Sequence, residues 1–323
     1  MDPAPASGRA TGLRRRAGFI VGVLLFAAAV FVVASEHRTL AEALVSIADA
    51  PWWLIAAALA LPVASWTLTS LAFWILTRRF GPVGLGEMHA LIASAWLLNY
   101  LPLRPGLVGR IGYHRAVNGI PVKHSVRVLA ESVVLGGLAI AVLLAVALAA
   151  RGLAPLPALL LAAAPAALAL AAALPLARAG PLAWRFAAAW GLKYADMLAW
   201  AARYAVVFAL LGAPIDAPSA VLIAAVSQLA LLVPFTGNGL GLREWAVGVL
   251  APVAGTGLTK TLALSGDLLN RAIELAVAVP LGLAASVWLA ARMRRAPRPA
   301  EPVPVPSEAP EPHAAPTRPP AAT

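Results

Sequence analysis

The sequence predicts an all-α, polytopic membrane helix bundle, with about six full spans and two re-entrant broken-helix hairpins in an inverted repeat. Three observations predict it. Of the 323 residues, 61% are hydrophobic and only 12% are charged, about half the share of roughly 25% in soluble chains. Uncharged runs near the roughly 20 residues that cross a bilayer core recur along the chain. Two further apolar stretches are broken by proline and clustered glycine, which stop a helix.

These numbers exclude several classes. The mean hydropathy of +0.83 leaves too little polar surface to wrap a water-soluble enzyme, and no long polar block exists to form a soluble head. Cysteine is absent, so disulfides, thiolate nucleophiles and Cys-based metal sites are excluded. The net charge of +11 does not mark a nucleic-acid binder. It collects beside the apolar runs, as in cytoplasmic loops facing anionic lipid. Four arginines stand against Asp2 in residues 1–16, and five basic residues with no acid lie between Arg104 and Arg127.

The elements follow in order. Residues 1–16 are a basic cytoplasmic N-terminus. Ala17 to Ser35 is uncharged and follows an Arg cluster; a signal peptide would fit that much, but the apolar run is long and no short polar region with a clear cleavage site follows, so it reads as the first span. Ala50 to Thr77 is the second, closed by Arg78 and Arg79. Met88 to Leu103 is short and ends Asn99-Tyr100-Leu101-Pro102, which makes it the first re-entrant hairpin. Ser132 to Ala150 and Leu156 to Ala177 are the third and fourth spans; Pro165 is tolerated where neighbouring helices satisfy the freed carbonyl. Asp196 to Leu211, carrying Arg203, is the fifth. Ala217 to Leu242 is broken by Pro234, Gly237, Asn238, Gly239 and Gly241 and reads as the second hairpin. Asp267 to Ala291 is the sixth span. Residues 293–323 form a Pro-rich cytoplasmic tail, expected to be disordered. The transmembrane domain thus covers 17–292, with inverted halves at about 50–150 and 195–291.

Positive-inside counting puts both termini in the cytoplasm, with Arg151 and Lys260 as exceptions outside. The first hairpin opens to the cytoplasm and the second to the outside. Broken short segments at matching places in two halves mark a transporter's binding site.

Charges at membrane depth cost a few kcal/mol or more unless paired or hydrated, so they select the site. Arg243 and Glu244 follow the second Gly-rich break. Arg271 lies four residues after Asp267 and three before Glu274, so the three share a helical face. Glu131 opens the third span, and Arg110 and Arg115 follow the first break. Together with Gly237, Gly239 and Gly241 these residues are the candidate substrate-binding set. Arginines and free N–H groups at half-helix ends suit a phosphate or carboxylate, and a lipid phosphate is the natural candidate. A purely structural reading stays open beside this one. Asp267, Arg271 and Glu274 would then be a salt-bridge cluster, Arg110 and Arg115 loop charges, and the glycines packing residues. No catalytic residue, cofactor or metal site is expected: the histidines form no HxxxH or HExxH pattern, and the glycines are no P-loop. The tryptophans near span ends read as interfacial anchors.

The run from Leu231 through Pro234, Gly237, Gly239, Gly241 and Arg243 to Glu244 resembles the signature of the lysylphosphatidylglycerol synthase transmembrane region family, a flippase-like domain. The run Asn99 to Pro102 through Gly109, Gly112 and Arg115 resembles its first-half motif. Glu131 resembles its Glu-Arg pair, and Arg271 with Pro280 and Gly282 its last-span pattern. The chain departs from the family at Asn238, where Gly is usual, at Tyr113, where an acid is common, and at Ser132, where Arg follows the Glu. The resemblance implies a lipid translocase of the cell membrane. A phospholipid, anionic or aminoacylated, or a polyprenyl phosphate, would cross between leaflets through a cavity lined by the two hairpins. Membrane lipids are the expected partners, nucleic acid is not one, and a homo-oligomer stays open. Only the short tail follows the last span, so the chain is expected to lack the synthase activity. Two alternatives stand beside this: a membrane enzyme acting on polyprenyl-phosphate sugars, and a non-transporting scaffold.

Overall fold

The computed structural model describes residues 50–101, 103–150, 152–180, 182–231, 237–239 and 241–295. The expected first span at Ala17 to Ser35 and the Pro-rich tail lie outside the described residues. Among the described residues every regular element is helical: α1 (Trp52–Thr77), α2 (Leu85–Leu98), α3 (Pro105–Val117), α4 (Val122–Ala149), α5 (Pro155–Ala179), α6 (Ala183–Leu210), α7 (Ala217–Ala230), a 3-10 turn (Gly237–Gly239), α8 (Leu242–Val253) and α9 (Lys260–Arg295).

Four of these helices, α1, α4, α5 and α9, are long and apolar enough to cross a membrane. Their outer faces carry exposed Val133, Val134 and Leu138 on α4, Leu159, Leu160 and Leu168 on α5, and Leu283 and Val287 on α9. Apolar surface on this scale suits lipid rather than water. At 28 residues α6 matches them in length, but Arg185, Lys193, Asp196 and Arg203 interrupt its apolar character.

The helices run past the expected boundaries wherever charge interrupts an apolar run. α6 starts thirteen residues before Asp196, because tertiary packing against α1 and α5 buries its polar N-terminal half. α4 starts at Val122, behind Pro121, and α9 extends from Lys260 to Arg295. The expected arm Met88 to Leu103 divides into α2 and a turn, and the expected stretch Ala217 to Leu242 into α7 and a break that leads to α8.

The four short helices form two hairpins, α2 with α3 and α7 with α8. At 1.5 Å per residue, 14 residues reach about 21 Å, short of a hydrocarbon core of about 30 Å. Both turns use left-handed backbone, at Leu103 (φ 62°) and Arg104 (φ 48°) in one and at Asn238 (φ 44°), Gly239 (φ 73°) and Gly241 (φ 79°) in the other.

Helix lengths run long, short, short, long before α5 and again after it. The packing is reciprocal across that divide. α1 packs on α6, the first arm α2 on the last helix α9, and the first arm α7 on α4. Small residues set the closest approaches. A Cβ on Gly282 of α9 would meet Cβ of Leu97 on α2 at 2.5 Å, and one on Gly266 would meet the Phe208 ring of α6 at 2.5 Å. The largest core cluster is centred on α6, through Tyr194, Met197, Trp200, Tyr204 and Phe208, with Ile223 and Ala224 of α7 and Val247 of α8.

Candidate functional site

One face of α9 carries polar residues through two turns, at positions 267, 270, 271 and 274, a spacing that stacks side chains on one side of a helix. Asp267, Asn270, Arg271 and Glu274 are all 2% exposed or less. Buried charges of this kind need partners, and these find them on other helices, not on α9.

Glu274 is the hub. Its Oε1 accepts from Trp96 Nε1 of α2 at 2.7 Å and from Asn238 Nδ2 of the second break at 3.2 Å. Its Oε2 accepts from Arg203 of α6 at 2.9 Å and from Arg243 of α8 at 3.5 Å. One carboxylate therefore joins four separate pieces of chain. Asp267 Oδ1 accepts from the Tyr204 hydroxyl at 2.6 Å and stands 3.0 Å from Arg243 Nε. Arg271 lies 2.5 Å from Glu244 at the first turn of α8. Arg203 also lies over the Trp200 ring, 3.9 Å from its centroid, with Arg243 at 5.9 Å.

The network holds three arginines and three carboxylates, so it is neutral with every member ionised. Its hydrogen bonding is uneven. Arg243 has an acceptor for each of its three nitrogens. The buried Nε and Nη1 of Arg271 have none, and neither do Arg203 Nη1, Asn270 Nδ2 and Tyr100 Oη. Glu244 Oε2 lacks a donor. Such groups cost about 1–3 kcal/mol each when unpaired, and the surplus is in donors. A donor-rich, arginine-lined interior suits an oxyanion.

The two hairpin turns meet here. Arg104, in the first turn, donates to the backbone carbonyl of Leu231 at the end of α7. Tyr100 lies beside Glu274, Arg243 and Arg271. The glycine of the second break is sterically committed: a Cβ on Gly239 would meet Leu231 at 3.1 Å and Arg243 Cβ at 3.3 Å.

The candidate residues thus separate into groups. Arg243, Glu244, Asp267, Arg271 and Glu274 come together, with Gly237, Gly239 and Gly241 shaping the turn that precedes Arg243. Glu131 is elsewhere: it pairs with Arg79 and, at 2.9 Å, with Arg127. Arg115 is exposed in the last turn of α3. Arg110 is buried against Phe73, its guanidinium carbon 4.0 Å from the ring centroid. Sequence reasoning left Arg203, Tyr204, Asn270 and Trp96 out of the set. Trp200, Arg203 and Tyr204 share one face of α6 at spacings of three and four, a signal already legible within the expected span Asp196 to Leu211. Asn238, read from sequence only as a breaker of the second hairpin, is a donor to Glu274. Trp96 is not an interfacial anchor: its indole N–H is spent on Glu274, whereas Trp52 at 79% exposure fits that role.

Among the described residues no group of three or more His, Asp or Glu side chains is arranged to hold a metal ion. No protein-family model, curated protein or solved structure matches the chain.

Proposed function

We propose that this chain is a flippase-like translocase of the cell membrane, moving a phospholipid or other lipid phosphate between leaflets. The observation that carries the reading is the meeting of two short-helix hairpins on one buried charge network, at Glu274. Half-length helices whose broken ends face a polar interior are how membrane transporters build a central site.

The reciprocal packing supports two inverted halves related across α5, with the hairpins entering from opposite sides. In this arrangement the headgroup phosphate docks on Arg271 and the donors around it, and the free N–H groups of the first turn of α8 face the same region. Arg243 and Arg203 hold the carboxylates in place. The acyl chains remain in the bilayer throughout, so only the headgroup needs a polar path. Hairpin turns in contact close the path, and parting them on one side at a time passes the headgroup through. Both termini lie in the cytoplasm, and the activity needs no bound cofactor.

The test is leaflet exchange by purified protein in liposomes carrying headgroup-labelled phosphatidylglycerol, aminoacyl-phosphatidylglycerol or a polyprenyl phosphate. Wild-type protein should accelerate exchange of at least one lipid. Arg271→Gln should remove the acceleration while the protein stays folded by circular dichroism. Absence of exchange with all three lipids, with and without an ion gradient, would overturn the reading.

A further inference from the structure

A second set of cations lies away from the Glu274 network and is held differently. Arg110, on α3, is 6% exposed. Lys193, on α6, is half-buried. Both are placed over the ring of Phe73 on α1, with the Arg110 guanidinium carbon 4.0 Å and the Lys193 Nζ 5.2 Å from its centroid. The two charges are therefore within about 9 Å of each other. Among the described residues neither makes a hydrogen bond, and neither has a carboxylate within ion-pair distance.

The surroundings do not neutralise them. Asp196, three residues along α6, is 4% exposed and accepts from Thr69 Oγ1 at 2.9 Å. It acts on Lys193 through space only, and its Oδ1 has no donor. On the α3 side His114 Nδ1 is 3.0 Å from Asn118 Oδ1, and Asn118 in turn donates to Glu87 of α2. Arg110, Lys193 and Asp196 together leave one positive charge. A ring face attracts a cation modestly and does not replace a counter-ion for a buried guanidinium. The contrast with Arg243, whose three nitrogens all find acceptors, is direct.

We propose that Arg110 and Lys193 form a second anion site, beside the first hairpin, that binds a phosphate monoanion of the lipid-headgroup kind. The fit is one of charge and reach. Two charge-assisted contacts of 2.7–2.9 Å to different oxygens of one phosphate span up to roughly 8 Å between donors, and the two contacts to Phe73 hold the cations no more than about 9 Å apart. One monoanion also brings the local charge to zero. The inference goes beyond the translocase reading and rests on it only for the source of the phosphate, a headgroup waiting at the first hairpin.

The experiment is isothermal titration of the purified full-length protein in neutral detergent. The probes are dioctanoyl phosphatidylglycerol and inorganic phosphate, set against Arg110→Gln, Lys193→Gln and the double variant. Each single change should weaken phosphatidylglycerol binding about tenfold, and Arg110→Lys should keep most of it. Arg127→Gln, which removes an exposed cation paired with Glu131 on α4, should leave it within about threefold. Parallel loss of inorganic phosphate binding assigns recognition to the phosphate alone; loss confined to the lipid assigns it to the diester with its chains. Both support the site. Because the removed charges are unpaired, the unfolding midpoint of Arg110→Gln should hold or rise, the opposite of what a structural role gives. Unchanged binding in the double variant overturns the proposal. Binding lost as described, with no leaflet exchange by wild-type protein, would leave this site standing and sink the translocase.

Discussion

Arg243→Ala is the substitution with the most calculable consequence. The guanidinium is 0% exposed, with Asp267 at 3.0 Å and Glu274 at 3.5 Å. Truncation leaves both carboxylates buried. Glu274 keeps Arg203, Trp96 and Asn238, but Asp267 keeps only the Tyr204 hydroxyl. The loss is therefore that of one partner from a buried ion pair, about 3–5 kcal/mol. At roughly 2–4 °C per kcal/mol for chains somewhat shorter than this one, the midpoint falls by on the order of 10 °C. Arg271→Gln breaks a single pair to Glu244, whose side chain is 13% exposed, and should cost less than half as much. Asp267→Asn added to Arg243→Ala removes the stranded charge and should recover about 2 kcal/mol of the loss. Reversible unfolding of all four proteins in the same detergent measures this. A double variant no more stable than Arg243→Ala, or an Arg271→Gln that costs as much, would refute the assignment of the charge balance.

Four further outcomes are expected. Gly282→Val drives a side chain into Leu97, already 2.5 Å from a Cβ at that position; it should cost about 1–3 kcal/mol and shift the emission of Trp96 as α2 leaves α9. Gly239→Ala at φ 73° should cost about 1–2 kcal/mol and slow leaflet exchange. Gly86→Ala, which meets nothing within 4 Å in α2, should gain about 0.5–1 kcal/mol and leave exchange unchanged. Glu131→Gln should leave exchange at the wild-type rate, because its partners are Arg79 and Arg127; a tenfold loss in a flux assay would return Glu131 to the site.

Much of the fold was legible because hydrocarbon length is a strict ruler. The uncharged run from Ala50 to Thr77 became α1 within two residues, bounded by Pro51 and Arg78. The same ruler fails where burial in protein replaces burial in lipid. Lys193 and Asp196 end an apolar run on paper, yet α6 continues through both because α1 packs beside them. The charged part of the site was legible for a related reason: Arg243, Glu244, Asp267, Arg271 and Glu274 stand out against apolar neighbours. Its neutral members were not. Trp96 and Tyr204 look alike whether an indole or phenol meets headgroups or a buried carboxylate, and only the crossing of α2, α6 and α9 decides. That Arg110 sits apart from Arg243 depends on which helix each hairpin meets, which no local pattern encodes.

The balance of three arginines against three carboxylates around Glu274 has an electrical consequence. A membrane potential acts on a moving charge with about 2.3 kcal/mol per elementary charge per 100 mV. A network of zero net charge, carried as a unit through part of the field, performs no electrical work. Movement of this network should therefore be voltage-insensitive, and on the translocase reading any dependence of the cycle on potential would come from the carried anion or from the uncompensated charge at Arg110 and Lys193.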